Sequence, residues 1–281
     1  MSVVRVMRQG VREGVRGVVD LFFPKQCMVN DEPLEGNEFH FSQKVREGIA
    51  RLALVGYCRR CGSSVGPNER HDRANPCGRC AERDLGIHTI ARIGAFEQPL
   101  RRLVYRLKFA GQWELAVAAG PLLAQALRAV MEESAVKVDA LVPLPLHWRR
   151  KLKRGFNQAE ELANSTGRIL GVNVLRPLRR IKATHEQATL MNRTQRRENM
   201  AGAFVARADG RLHGKHVWLL DDVCTTGATL HAAATALRKL APEIRPASIN
   251  ALVLCVTDSK APVQVVELDG DEVEGEDVAG E

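Results

Sequence analysis

Residues 217–230 read VWLLDDVCTTGATL, an order of residue types suited to holding an anion. An apolar run ends in two carboxylates, Asp221 and Asp222. Val223, Cys224, Thr225, Thr226, Gly227, Ala228 and Thr229 follow before a helical pattern begins. A loop with so little side-chain bulk lets backbone N–H groups converge on an anion, and the helix after it adds partial positive charge at its N-terminus. Three threonine hydroxyls can donate as well. A monophosphate suits such a cradle. The two acids cannot touch the same phosphate, because like charges repel. Set back from it, they can accept hydrogen bonds from vicinal hydroxyls. Phosphate on one side and a diol on the other describe a ribose 5-phosphate. The nucleotide loop G-x-x-x-x-G-K-[ST] is excluded, since Gly227 is followed by Ala228 and Thr229 with no lysine.

Two further stretches are cationic. Within VPLPLHWRRKLKRGFNQAEELA, residues 142–163, Arg149, Arg150, Lys151, Lys153 and Arg154 put five cations in six positions. These would repel one another without an anion, the alternative being a solvated basic face. The 179–201 stretch is polar throughout and carries Arg179, Arg180, Lys182, Arg193, Arg196 and Arg197. Long loops of this kind are uncommon unless functional or disordered, and a plain surface loop is the alternative.

Seven cysteines occupy positions 27, 58, 61, 77, 80, 224 and 255, an odd number in a chain without an export signal, which argues against a disulfide framework. Cys58-x-x-Cys61 and Cys77-x-x-Cys80 are separated by fifteen residues, within the spacing of four-thiolate zinc sites. A closed tetrahedral set of thiolates is structural, so Zn²⁺ is expected to hold this region together. Cys27 has no cysteine partner nearby, while Cys224 and Cys255 read as small core residues.

The stretch VWLLDDVCTTGATL resembles the phosphoribosyl pyrophosphate (PRPP) motif of type I phosphoribosyltransferases. Together with residues 142–163 and THEQATLMNRTQRRENMAGAF, residues 184–204, it resembles the ComF family, a bacterial branch of these transferases. The resemblance covers nearly the whole chain and fails at the acidic C-terminal stretch. It departs at Trp148, where the family usually has proline after the histidine, and at Asn30, where a cysteine is common. It implies a type I phosphoribosyltransferase fold behind a zinc-knuckle module, PRPP bound with Mg²⁺, and pentosyl transfer from PRPP. On that basis Asp221 and Asp222 hold the ribose hydroxyls, and Thr225, Thr226, Gly227, Ala228 and Thr229 the 5-phosphate. Pro145, Leu146, His147, Arg149 and Arg150 form the pyrophosphate loop. Thr184, Gln187, Arg197 and Asn199 are the characteristic positions of a mobile loop that closes over PRPP and keeps water from an oxocarbenium-like ribose carbon. Lys108, in RLKFAG, falls near the ligand by the same resemblance or else snorkels from an ordinary amphipathic helix. No catalytic residue and no acceptor stand out. The ComF family is associated with DNA uptake in competent bacteria, so a single-stranded DNA-binding protein or a PRPP sensor without transfer activity is the alternative reading.

The elements that must position these residues are legible from periodicity. Strands are expected at TIARIGAF, 138–146, VNVLRPL, HVWLLDDV and SINALVLCV. Helices are expected at 42–54, PLRRLVYRLKF, 113–133, 157–170 and ATLHAAATALRKL. Alternation of this kind implies right-handed βαβ units and a parallel sheet flanked by helices, with ligand beyond the carboxyl ends of the strands. The expected organisation is an N-terminal amphipathic helix at 1–23, a cysteine-rich zinc module at 24–88, a phosphoribosyltransferase-like domain at 89–258 and an acidic disordered tail at 259–281. Val4, Val11, Val15, Val18 and Phe22 form one apolar stripe of the first helix, better suited to docking on its own domain than to a membrane surface. No internal repeat is evident.

Composition sets the broad class. In 281 residues no apolar run approaches a membrane span, the longest candidate, 115–124, reading as a core helix. Arginines at 5, 8, 12 and 16 interrupt any secretory signal, and a cytoplasmic protein is expected. The formal charge of +8 conceals an asymmetry: residues 267–281 carry eight acids and no base, leaving +16 on residues 1–266. A body that basic suits polyanions, though a solubilising surface accounts for it equally. Only thirteen aromatics occur, so base stacking with DNA is expected to be sparse.

Overall fold

A computed structural model describes residues 25–36, 38–66, 77–80, 85–182 and 200–258. In chain order the helices are α1 (Gln43–Ala53), α2 (Leu100–Phe109), α3 (Glu114–Ser134), α4 (Trp148–Arg154), α5 (Gln158–Leu170) and α6 (Ala228–Arg238). The strands are β1 (Ile90–Ala95), β2 (Ala140–Pro143), β3 (Asn173–Val174), β4 (Leu178–Arg180), β5 (Phe204–Ala206), β6 (His216–Cys224) and β7 (Ser248–Val256). Five strands form one parallel sheet in the order β1-β7-β6-β2-β3.

Strands buried on both faces need continuous apolar runs. Val217, Trp218, Leu219 and Leu220 of β6 supply one, and are fully buried. Alternation along the strand sends Trp218 and Leu220 to a cluster with Leu103, Leu107, Leu115 and Leu162 from α2, α3 and α5. Val217 and Leu219 face Leu230, Ala233 and Leu237 of α6 on the other side. The result is three layers with the sheet in the middle. α1 packs on β1, and Cys27, Val29, Phe41, Val45 and Ile49 belong to the same apolar cluster as α2 and α3.

α3 carries Pro121 in its interior, which removes the N–H that would bond the carbonyl of Val117. The Ser165 hydroxyl of α5 donates to that carbonyl at 3.0 Å, and Thr166 donates to the Gly120 carbonyl at 3.5 Å. Such closeness requires Gly120, since a Cβ there would lie 2.1 Å from Ser165 Oγ. α3 is long and apolar enough to cross a membrane by length and composition alone. Here Leu115, Ala119, Leu123, Leu127 and Val130 are buried in the protein core, as expected for the shorter 115–124 run.

One expected strand is corrected. Within VNVLRPL only Asn173 and Val174 form β3 of the parallel sheet, and its last residue, Leu178, begins β4, which pairs with β5 in an antiparallel ribbon. Pro177 has no N–H to continue a ladder, and its carbonyl instead accepts from Arg207 N at 2.8 Å. The 145–154 stretch also differs from a plain loop. His147 caps a seven-residue helix, α4, by accepting from Arg149 N, and Gly155 ends it at φ 78°.

Candidate functional site

Beyond the carboxyl ends of β2 and β6 lies a polar cavity of about 180 Å³. β6 supplies its acids. The strand runs through both aspartates to Cys224, so the carboxylates alternate between the sheet faces. Asp222 shares the face of Leu220 and is buried. Lys108 Nζ, from the last turn of α2, lies 3.2 Å from Asp222 Oδ1, so the lysine borders the cavity. Asp221 takes the other face and accepts from Asp222 N at 2.9 Å. It is partly exposed at the cavity, yet loss of solvent and then the charge of Asp222 push its carboxyl up to about 7, against the pull of Lys108 and Arg180.

Residues 225–229 connect β6 to α6. Gly227 sits at φ 80°, in the left-handed region, as the cap residue of α6. The Thr226 hydroxyl accepts from Ala228 N at 3.4 Å and so shapes the turn, whereas Thr225 and Thr229 border the cavity. Ala228 is buried against the core.

The opposite wall comes from the β2–α4 connection. Pro145, Leu146 and Arg150 border the cavity, as does Arg154 one turn on. His147 is buried at the cap of α4, and Trp148 and Arg149 face solvent with the Arg149 guanidinium 5.3 Å from the Trp148 ring. Burial, with the charges of Arg180, Arg149 and Arg150 added, holds His147 below its ordinary pKa and hence neutral at pH 7. Asn157 fixes this connection from behind. It caps α5 by accepting from Ala159 N at 3.2 Å and donates to the Leu144 carbonyl at 3.1 Å. Buried Gln158 donates to the Leu107 carbonyl and ties α5 to the turn that carries Lys108.

Arg180 completes the wall. It projects from β4 between Arg150 and Asp221, over the Phe204 ring at 5.6 Å. Burial and Arg150 lower its pKa while Asp221 raises it. Sequence reading placed Arg180 in a polar stretch without a role, because its position depends on a ribbon closed by residues more than twenty positions away. Asn157 was likewise missed, although an asparagine before a helix is a capping signal. The expected mobile-loop positions Thr184, Gln187, Arg197 and Asn199 lie outside the described residues. A larger cavity, about 890 Å³, opens at the amino ends of the same strands beside Arg59, Arg60, Lys137 and His216. Ligands of open α/β sheets bind beyond the carboxyl ends, which favours the smaller cavity as the functional site.

The four expected metal ligands meet. The sulfurs of Cys58, Cys61, Cys77 and Cys80 all lie within 4.8 Å of one another. Three of the separations are 3.5, 3.5 and 3.8 Å, close to the ~3.8 Å edge of a tetrahedron with metal–sulfur bonds of about 2.3 Å. A hydrogen bond from Cys61 draws the Cys58 thiol down to about 3, whereas burial and neighbouring sulfur push Cys80 up to about 12. The donor set therefore fits a thiophilic ion. Its first knuckle pairs Tyr57 with Ser64, with Cys58 N bonded to Ser63 O, Gly62 N bonded to Cys58 O, and Gly62 at φ 76°. The same turn recurs at 26–33. Gln26 pairs with Pro33, Cys27 N bonds Glu32 O, Asp31 N bonds Cys27 O, and Asp31 stands at φ 62°. This local repeat was not evident in the sequence. In the second copy Cys27 is buried in the core, and Asp31 pairs with Arg102 and Arg106 of α2.

The metal-bearing knuckle is fastened to the sheet. Arg92 of β1, wholly buried, donates to Ser64 Oγ at 2.7 Å and pairs with Asp258 at 3.4 Å, while Asp258 accepts from Ser64 N at 3.2 Å. The Tyr57 ring lies against the guanidiniums of both Arg59 and Arg92, at 4.3 and 4.8 Å.

A family model described as the phosphoribosyl transferase domain matches residues 152–278. Competence protein F of Haemophilus influenzae is 33% identical over 190 residues, covering 66% of this chain and 80% of that protein. The chain belongs to the ComF family. Other ComF relatives include the DNA utilization protein YhgH of Salmonella typhi, 32% identical over 178 residues (63% of this chain, 75% of that one). Competence protein ComFC of Bacillus subtilis is 30% identical over 159 residues (57% and 60%). The fold of this ComF chain is a parallel sheet flanked by helices with a four-cysteine cluster beside it, and both its acids and its cations converge on one end of that sheet.

Proposed function

We propose that this ComF-family chain binds PRPP with Mg²⁺ in the cytoplasm and transfers its phosphoribosyl group to an acceptor. The observation that carries the reading is the cavity in which Asp221 and Asp222 face Arg150, Arg154 and Arg180 across the turn at Gly227. In it Asp221 and Asp222 hold the ribose hydroxyls. Thr225, Thr226, Gly227, Ala228 and Thr229 hold the 5-phosphate at the start of α6. Pro145, Leu146, His147, Arg149 and Arg150 hold the pyrophosphate, and Thr184, Gln187, Arg197 and Asn199 close over it. The two carboxylates offer the hard oxygens that Mg²⁺ prefers, and the ion, when bound, neutralises charge on the departing pyrophosphate. Arg150 and Arg180 add fixed positive charge where that leaving group develops its own. Lys108, held on Asp222 in the free protein, is positioned to exchange that partner for the ligand.

Asp222→Asn keeps the shape and removes a charged acceptor. PRPP affinity measured calorimetrically with Mg²⁺ should fall roughly ten- to hundredfold, the equivalent of about 1.5–3 kcal/mol for a hydrogen bond to a charged group. Wild-type protein that takes up no PRPP would end this reading.

A second reading, binding of single-stranded DNA, is favoured by one surface. Tyr105, Phe109, Trp113 and Trp148 are four of the five large aromatics exposed among the described residues; Tyr105 and Phe109 lie together on α2 at 4.8 Å, Trp113 precedes α3 and Trp148 opens α4. The Arg154 guanidinium lies 5.4 Å from the Phe109 ring, joining α4 to α2. Exposed rings among cations suit stacked bases and phosphates. Relatives named for competence and DNA utilization point the same way. DNA affinity should fall steeply with salt and show little sequence preference, as phosphate neutralisation requires. A strongly sequence-selective interaction, or one indifferent to salt, would contradict it.

A further inference from the structure

We propose that the larger cavity, at the amino ends of the strands, is a second ligand site, built for a phosphate monoester whose organic body offers N–H donors. Its volume of about 890 Å³ falls within the range of pockets that enclose whole organic ligands. The sheet supplies a polar floor. His216 and Ser248 stand opposite each other at the starts of β6 and β7, and Asn250 stands opposite Trp218. Alternation turns all three toward the face of the sheet that carries α3. His216 Nδ1 lies 2.8 Å from Ser248 Oγ, and Asn250 Nδ2 donates to that oxygen at 3.1 Å and to the Val217 carbonyl at 3.4 Å. Asn250 Oδ1 accepts from no described residue, although Asn250 is only 2% exposed. Where a helix covers a parallel sheet the strands are apolar, so a polar row with an unused acceptor marks a place that a helix does not cover.

The walls supply charge. Arg59 and Arg60 are the two residues between Cys58 and Cys61. The Arg59 carbonyl accepts from Ile90 N at 2.8 Å and from Thr89 Oγ1 at 3.1 Å, which holds this stretch on β1. The Tyr57 ring and Glu133 fix the Arg59 guanidinium, whose Nη1 is buried with no acceptor. Lys137 joins the wall just beyond the end of α3. Among the described residues no carboxylate pairs with Arg60 or Lys137, and Glu133 is the one acid bordering the cavity. Three cations against one carboxylate suit a doubly charged phosphate better than a single carboxylate. Glu133 is more than half exposed, and so weak a surface pair can yield Arg59 to a ligand. The last carbonyls of α3 have no described backbone N–H to cap them, and with Asn250 Oδ1 they call for donors on the ligand body. No residue borders both this cavity and the smaller one, and the inference does not rest on the PRPP reading.

AMP serves as the probe, titrated calorimetrically into the full chain at low salt without Mg²⁺. Submillimolar binding is expected. Adenosine, which lacks the phosphate, and purine riboside 5′-monophosphate, which lacks the amine, should each bind about tenfold more weakly. Arg60→Glu/Lys137→Glu replaces two exposed side chains and should weaken AMP by about tenfold or more, whereas Gly227→Val should leave it unchanged. Lys137→Glu alone, outside the cysteine knuckle, should weaken it about threefold with an unaltered melting temperature. No AMP binding by the wild type, or AMP bound equally by both charge variants, overturns the proposal. AMP binding lost in Gly227→Val, or displaced by PRPP with Mg²⁺, overturns it by moving AMP to the carboxyl-end cavity. Purine riboside monophosphate bound as tightly as AMP overturns the call for a ligand amine. Wild-type protein that takes up AMP but no PRPP would end the PRPP reading and leave this site standing.

Discussion

Gly227→Val should reduce PRPP affinity by at least a hundredfold, more than any single substitution of a cavity side chain. Only three residues separate the end of β6 from the start of α6, and Gly227 turns the chain at φ 80°. A branched residue in that region is strained by roughly 1–3 kcal/mol, and relief of the strain moves the backbone N–H groups that would face the 5-phosphate. Because Leu230, Ala233 and Leu237 anchor α6 in the core, the helix is expected to stay folded while its first turn shifts. Calorimetric titration with Mg²⁺, with a thermal melt as control, checks this. A Gly227→Val protein that binds like wild type would make residues 217–230 a structural turn.

Cys61→Ser should eliminate a bound metal altogether. Purified wild-type protein should carry about one zinc per chain by elemental analysis, and the variant none. Structural zinc contributes on the order of 10 kcal/mol to small modules, so a melting temperature lowered by many degrees should accompany the loss. The twin turn at 26–33 shows why the metal matters where it does. Both turns have the same hydrogen bonds, but where the first is held against α2 by the Asp31 pairs, the tip of the second turns its two thiols toward Cys77 and Cys80, a contact that needs a metal to close it. Wild-type protein whose melting is unchanged by chelation, or which contains no zinc when prepared without chelator, would contradict the assignment. PRPP binding should survive mild metal loss better than it survives the change at Gly227, since no residue bordering the smaller cavity lies in the knuckle.

Much of the architecture could be read in advance because periodicity and burial are local signals. The run ending at Asp222 and the alternation of strands with helices predict the sheet, and the cysteine spacing predicts the cluster. What escaped depends on distant partners. Adjacent acids look equivalent in sequence, yet strand alternation gives Asp222 to Lys108 and Asp221 to the surroundings of Arg180. Arg180 itself could not be distinguished from Arg179, because which of the two enters the cavity is decided by the β4–β5 register. Pro177 carried a local signal, a proline inside an apparent strand, that divides VNVLRPL between two sheets. The second knuckle showed only through the resemblance, in Asn30 standing where a cysteine is common, because one cysteine and an aspartate at positive φ spell a different sequence from two cysteines and a glycine. Aromatics were too few overall to suggest a stacking surface, but where few residues stand is a property of the fold.

The buried Arg92 contact also bears on how such a chain can be cut or recombined. Separating the cysteine region from the sheet domain at residue 88 would leave the Arg92 guanidinium in the sheet without Ser64. Asp258 would remain paired with it, but a buried donor left without its acceptor typically costs about 1–3 kcal/mol. Grafting a foreign cassette onto the sheet would require the same hydroxyl in the same place. Ser64 and Arg92 thus form a lock between the two halves, and chimaeras that keep both residues should express as folded protein where those that keep one do not.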